Sequence, residues 1–272
     1  MDIGVITYIH PEDDFIAPVR DLGLSCAQVC SWNPDHCTPE LLRRTRELLD
    51  KHGVRISSFW AGYTGPIVWN FKEGPVTLGI VPPAYRAERV AQLKRWADFA
   101  AALGAPAIVT HCGFLPENMT DPEFPSVVVA LKDIGGYCRK LGIGFWFETG
   151  QETPVTLLRH IAATGLDNLG INLDPANLLL YGKGCPVDSL DVFGQYVKSV
   201  HAKDGCCPTN PLELGHETRL GDGLVHFDQL VPKLIRLGYT GDFIIEREIH
   251  GEQQQKDIRH AEKLLRGWMA GA

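Results

Sequence analysis

Short apolar runs rich in β-branched and aromatic residues alternate with helix-period segments along the whole chain, and this alternation limits the fold more than any other feature. Eight runs read as strands: Ile3–Thr7, Cys26–Cys30, Arg55–Phe59, Ala107–His111, Gly144–Glu148, Gly170–Asp174, Lys198–Ala202 and Phe243–Arg247. Most are apolar nearly throughout, as strands covered on both faces should be. Between them lie helical stripes. Leu41, Leu42, Thr45, Leu48 and Leu49 share one face, with Thr38 as cap, Pro39 in the first turn and Gly53 as stop. Val90, Leu93, Ala97 and Ala100 form a second stripe, and Ile258, Ala261, Leu264, Leu265 and Trp268 a third. Pro232 inside the pattern Phe227–Leu237 predicts a helix that starts late or bends.

Eight strand–helix units in 272 residues predict an α/β protein, a (β/α)8 TIM barrel forming a single domain over residues 1–272. The rival is a doubly wound sheet, which often carries a glycine-rich fingerprint after the first strand. That place reads Tyr8-Ile9-His10-Pro11-Glu12, and no phosphate-binding P-loop occurs elsewhere.

Composition narrows the setting. No apolar run approaches the roughly 20 residues of a membrane span, and Met1-Asp2-Ile3-Gly4 lacks the basic start of a signal peptide. The expectation is a cytoplasmic protein whose eight cysteines, none in a Cys-x-x-Cys pair, are reduced. A net charge of −7 argues against nucleic acid as a partner.

The most informative residues are those that end strands five to eight. Phe145-Trp146-Phe147-Glu148, Ile171-Asn172-Leu173-Asp174, Ser199-Val200-His201 and Ile244-Ile245-Glu246 each finish an apolar run in a carboxylate or an imidazole. The C-terminal strand ends of a barrel surround one mouth, so Glu148, Asp174, His201 and Glu246 should converge. Three carboxylates placed together repel one another unless a cation joins them. The set therefore predicts one divalent metal ion. Its oxygen-rich chemistry favours manganese over magnesium, cobalt or zinc. One such residue alone reads as a salt bridge or a helix cap; four on successive strands do not.

Other residues are candidates for touching substrate. His111 ends strand four and would bond a hydroxyl or support a ligand, or else serve as a core histidine. Glu152 is either a hydroxyl ligand or a carboxylate at the start of the helix opened by Thr153-Pro154. Lys203 shares the parity of His201 and either holds an anionic group or pairs with Glu248. Arg219 lies in a glycine-rich loop that can approach substrate. Trp32 and Trp60 follow strands two and three, where aromatic walls suit the C–H faces of a sugar.

In Phe147-Glu148, Leu173-Asp174-Pro175-Ala176-Asn177, His201-Ala202-Lys203-Asp204, Arg219-Leu220-Gly221-Asp222-Gly223 and Gly238-Tyr239-Thr240-Gly241, the chain resembles the xylose isomerase-like TIM-barrel superfamily, in particular its sugar (phosphate) isomerase/epimerase group. The resemblance covers the C-terminal half well and the N-terminal half mainly in its rhythm. It implies that Glu148, Asp174, His201 and Glu246 hold one metal, and that Glu148 and Glu246 are the catalytic acid/base pair. It also places Arg219 on the family's loop arginine. Ketose 3-epimerases of the group carry a substrate-touching histidine three residues after the aspartate, where this chain has Asn177.

The expected activity is that of a metal-dependent isomerase or epimerase of a small hydroxy-carbonyl compound, with glutamate-mediated proton transfer through a metal-stabilised enediolate. An inosose-type dehydratase is the alternative on the same site. A nuclease like endonuclease IV is disfavoured, because Ser58-Phe59-Trp60 and Asn177 stand where its zinc-binding histidines would. The expected partner is a small carbohydrate, with no nucleic acid and no membrane; homo-oligomer formation is left open.

Overall fold

The computed structural model describes residues 1–272. Ten strands form. They are β1 (Ile3–Tyr8), β2 (Cys26–Ser31), β3 (Arg55–Ala61), β4 (Ala107–Thr110), β5 (Gly144–Glu148), β6 (Leu169–Leu173), β7 (Val197–Ala202), β8 (Asp204–Cys206), β9 (His216–Thr218) and β10 (Asp242–Ile245). Eight of them close a barrel in the order β1-β10-β7-β6-β5-β4-β3-β2, every pair parallel. The eight predicted runs are these eight strands, with ends shifted by up to two residues.

Helices form where the stripes place them. Thr38 accepts a bond from the Leu41 amide, Pro39 opens the helix Pro39–His52, and Gly53 closes it at φ 58°. Such a cap contributes about 1 kcal/mol, while Leu41, Thr45, Leu48 and Leu49 are buried. No helix is long and apolar enough to cross a membrane.

Two features differ from the sequence reading. The helix around Pro232 runs without interruption from Phe227 to Arg236, so it does not start late. The missing proline amide costs the bond to the Asp228 carbonyl, and burial of Phe227, Leu230, Val231 and Leu234 offsets it. The short antiparallel hairpin β8–β9 was not foreseen. Its strands have three residues each, too few to show a period.

Asp204, which opens this hairpin, shapes the next loop. Its buried carboxylate accepts bonds from the amides of Gly205, Gly221, Gly223 and Val225 at 2.8–3.1 Å. A Cβ on Gly223 would lie 2.2 Å from Asp204 Oδ1, so only glycine lets the loop wrap so closely.

Candidate metal and substrate site

Glu148 is the last residue of β5, and His201 lies near the end of β7. Asp174 follows β6 and does two jobs. Its Oδ1 accepts the Asn177 amide at 2.9 Å and so caps the helix Pro175–Leu180. That leaves Oδ2 free to face the barrel mouth. Glu246 follows β10 directly. One ligand atom from each of the four lies within 4.8 Å of the others. His201 Nδ1 is 3.1 Å from Glu148 Oε1, 3.0 Å from Glu246 Oε2 and 3.7 Å from Asp174 Oδ2.

Beneath the cluster, Gln28 fixes the imidazole. Its Oε1 sits 2.8 Å from His201 Nε2, while its amide group donates to Ser58 Oγ at 2.8 Å and Asn172 Oδ1 at 3.3 Å. Because the Gln28 amide nitrogen is spent on those acceptors, its oxygen must accept a hydrogen bond from Nε2–H. Nδ1 then faces the carboxylates, and once its proton is lost its lone pair has the orientation a metal ligand needs.

Electrostatics show the strain of the arrangement. Burial works to raise the Glu148 pKa, but His111 and His201 hold it well below the carboxylate range. Glu246 is likewise brought down to about 2, against burial, by Lys203 and His201. Asp174 is raised by burial despite Lys203. His201 goes well above its usual value, because Glu148 and Glu246 outweigh burial. In the metal-free protein a proton on His201 thus supplies the cation that the carboxylates demand, and a metal must displace it. Asp174 Oδ2, Glu246 Oε2 and His201 Nδ1 are buried and have no hydrogen-bond partner. Three converging, unpaired donor atoms with two hard oxygens among them fit a divalent cation.

Above the cluster opens a cavity of about 300 Å³. Glu148 and Glu246 line it, whereas Asp174 and His201 do not. Five of the seven expected substrate residues line it: His111, Asn177, Lys203, Trp32 and Trp60. The Trp60 indole donates to Glu148 Oε2, and His111 Nε2 is 3.4 Å from Glu148 Oε1. Lys203 Nζ is buried 2.8 Å from Glu248 and 3.5 Å from both Asp174 and Glu246. These carboxylates keep its pKa well above normal in spite of burial.

Two expected residues lie elsewhere. Arg219 is 43% exposed, bonds Asp222 at 2.9 Å and does not line the cavity. With the loop amides gathered on Asp204, its side chain is left to pair locally. Arg219→Ala should therefore leave KM within about twofold of wild type; a tenfold rise in steady-state KM would show that this loop reaches substrate.

Glu152 is buried just before the helix cap Thr153, outside the cavity lining. Burial pushes its pKa up to about 7, against His111 and nearby amides. A raised carboxylate pKa favours the folded state at low pH. The benefit is full below about pH 4.5 and is lost as pH rises through 7. In metal-free protein, Glu152→Gln should gain up to about 3 kcal/mol relative to wild type between pH 5 and pH 8. Urea unfolding at the two pH values measures this; a difference independent of pH would contradict it.

Several lining residues escaped the sequence reading. Tyr8, at the end of β1, shares the inward parity of Ile6, and both line the cavity. Gln28 was visible as a lone amide in an apolar strand. Trp69, Tyr181 and Leu214 stand on loops or helix ends, where no period marks them. All eight cysteines are unpaired, and Cys30 lines the cavity.

Known proteins are consistent with this architecture. A xylose isomerase domain protein from Planctomyces limnophilus superposes with a TM-score of 0.93 at 34% identity, covering 100% of this chain and 99% of that one. A D-tagatose 3-epimerase-like protein superposes with a TM-score of 0.73 at 20% identity, covering 99% and 97%. Inosose dehydratase of Geobacillus kaustophilus (strain HTA426) is 27% identical over 193 residues, 59% of this chain and 62% of the relative. The chain thus spans less than two thirds of the length of the curated relatives it matches. The family profile described as Xylose isomerase-like TIM barrel matches residues 16–268. With the closed eight-stranded barrel, that match over nearly the whole sequence means that the chain belongs to the xylose isomerase-like TIM barrel family.

Proposed function

We propose that the protein is a divalent-metal-dependent isomerase or epimerase of a small, uncharged polyhydroxy carbonyl compound. The observation that carries this reading is the placement of two carboxylates, Glu148 and Glu246, in the lining of one cavity. They approach it from strands three apart around the barrel and meet at one imidazole nitrogen. Glu148, Asp174, His201 and Glu246 would hold the metal, which supplies positive charge for the substrate's carbonyl and neighbouring hydroxyl oxygens.

The chain's own residues do the rest. Glu148 and Glu246 are ionised, so either can accept a proton from a C–H beside the carbonyl. Return of a proton to the opposite face by the other glutamate inverts the centre. Return to the neighbouring carbon exchanges aldose and ketose. Trp60 and His111 hold Glu148 from two sides and fix its direction. Trp32, Trp60 and Tyr181 give the cavity an apolar wall for C–H faces.

Charge selects against phosphorylated substrates. Asp174, Glu246 and Glu248 face one ammonium, that of Lys203, which is already committed, and Glu148 adds a fourth carboxylate. A bound dication would leave this set still negative. Phosphorylated sugars should therefore be at least about a hundredfold worse in kcat/KM than their neutral parents.

The dehydratase reading shares the proton abstraction and then expels a hydroxyl. The similarity to inosose dehydratase favours it as the second reading. NMR of neutral keto sugars, inososes and their phosphates incubated with enzyme and manganese in D2O separates the two. Deuterium beside the carbonyl with all carbons and oxygens retained supports the isomerase or epimerase, and loss of water supports the dehydratase. Product without deuterium would point to hydride transfer, and no turnover across the panel to a binding protein.

A further inference from the structure

The segment between β3 and the helix Pro83–Leu103 crosses over the mouth and carries Trp69. Trp69 is 39% exposed, yet it lines the cavity and packs edge-on against His111 at 5.0 Å and Trp32 at 6.1 Å between ring centroids. A large side chain on a long loop keeps such a position only if the loop is held.

Arg89 holds it. This arginine is 0% exposed in the middle of the first half of the helix, and no carboxylate is within salt-bridge distance. Its four hydrogen bonds all go to main-chain carbonyls at the two legs of the segment. Nε bonds Thr64 O at 3.0 Å and Nη2 bonds Pro66 O at 3.0 Å, on the outgoing leg. Nη1 bonds Thr77 O and Gly79 O, each at 2.6 Å, on the returning leg. The guanidinium lies between the rings of Tyr63 and Tyr85, at 4.5 and 4.8 Å. Gln92, one turn along, bonds both the amide and the hydroxyl of Thr64. The returning leg also passes closely by the residues that follow β4: Gly79 sits at φ 69°, and a Cβ there would lie 1.9 Å from Cys112 O. A planar five-donor fork is the side chain that can tie two chain segments at once.

We propose that Arg89 is a positioning residue: by stapling both legs of the 62–80 segment it fixes Trp69 as a wall of the substrate cavity and thereby sets substrate affinity. Its effect on KM rests on the function proposed above; its effect on the segment does not. Arg89 touches neither the metal cluster nor the cavity, so its loss should leave metal content and kcat alone.

The test compares Arg89→Lys, Trp69→Ala and the double variant. Each should raise KM about tenfold with kcat within about twofold, and one metal ion per chain should remain. The double variant should be no worse than Trp69→Ala, because both changes remove the same wall. Hydrogen exchange of Arg89→Lys should speed up in residues 62–80 and stay unchanged in the barrel strands. If Arg89→Lys does not fold, Tyr85→Leu, which strips one face of the guanidinium, should give the same local exchange and a smaller KM rise. Additive KM effects, a fall in kcat with KM unchanged, or faster exchange spread through the barrel would each overturn the proposal. A wild-type protein without turnover would defeat the functional reading alone, and exchange in residues 62–80 would still decide the role of Arg89.

Discussion

Glu148→Gln and Glu246→Gln are each expected to lower kcat by about a thousandfold or more even when metal is saturating. The amide keeps an oxygen toward the cation but cannot accept a proton at working pH. If these residues served only as ligands, activity would return in proportion to restored metal. The two variants should also differ from each other in an epimerase. The one that retains the abstracting carboxylate should still exchange the substrate C–H proton with D2O without completing inversion. NMR of substrate in D2O with each metal-loaded variant reads both effects. Near-normal turnover on metal loading would remove the proton-transfer role.

The second large effect is expected at Asp174. Asp174→Asn keeps an acceptor for the Asn177 amide, so the cap on Pro175–Leu180 survives. It removes a buried negative charge whose Oδ2 has no hydrogen-bond partner. Metal affinity should fall about a hundredfold or more, beyond the 10–100-fold usual for residues that only support ligands. The metal-free variant should unfold no earlier than wild type, since burial already disfavours the Asp174 charge. Calorimetric titration with manganese and a thermal melt check the two halves. Retained affinity would remove Asp174 from the ligand set.

The barrel and its four-residue cluster were legible in the sequence for one physical reason. Parallel strands buried on both faces must be apolar, so a terminal Glu148, Asp174, His201 or Glu246 stands out against its own run. The barrel then brings strand ends together without any further information. The residues that shape the cavity wall above those four carry no such contrast. Trp69 and Arg89 act through a loop whose path depends on carbonyls, which the sequence does not display. Arg89 lies one turn before Leu93 on the helix Pro83–Leu103, and nothing in the sequence shows which carbonyls its guanidinium reaches. Arg219 shows the opposite relation. Its motif was plain, but Asp204 collects the amides of that loop and the arginine ends beside Asp222, away from the cavity. The helix through Pro232 does not start late, because tertiary burial of its apolar face outweighed the local cost of proline.

The central claim is that one divalent ion binds where the ends of four successive barrel strands meet. Anomalous diffraction from crystals grown with manganese tests it most directly. The account predicts one strong peak per chain, in contact with Glu148, Asp174, His201 and Glu246 together. A well-occupied peak held by other residues, or a cluster of three zinc ions in protein as purified, would contradict it.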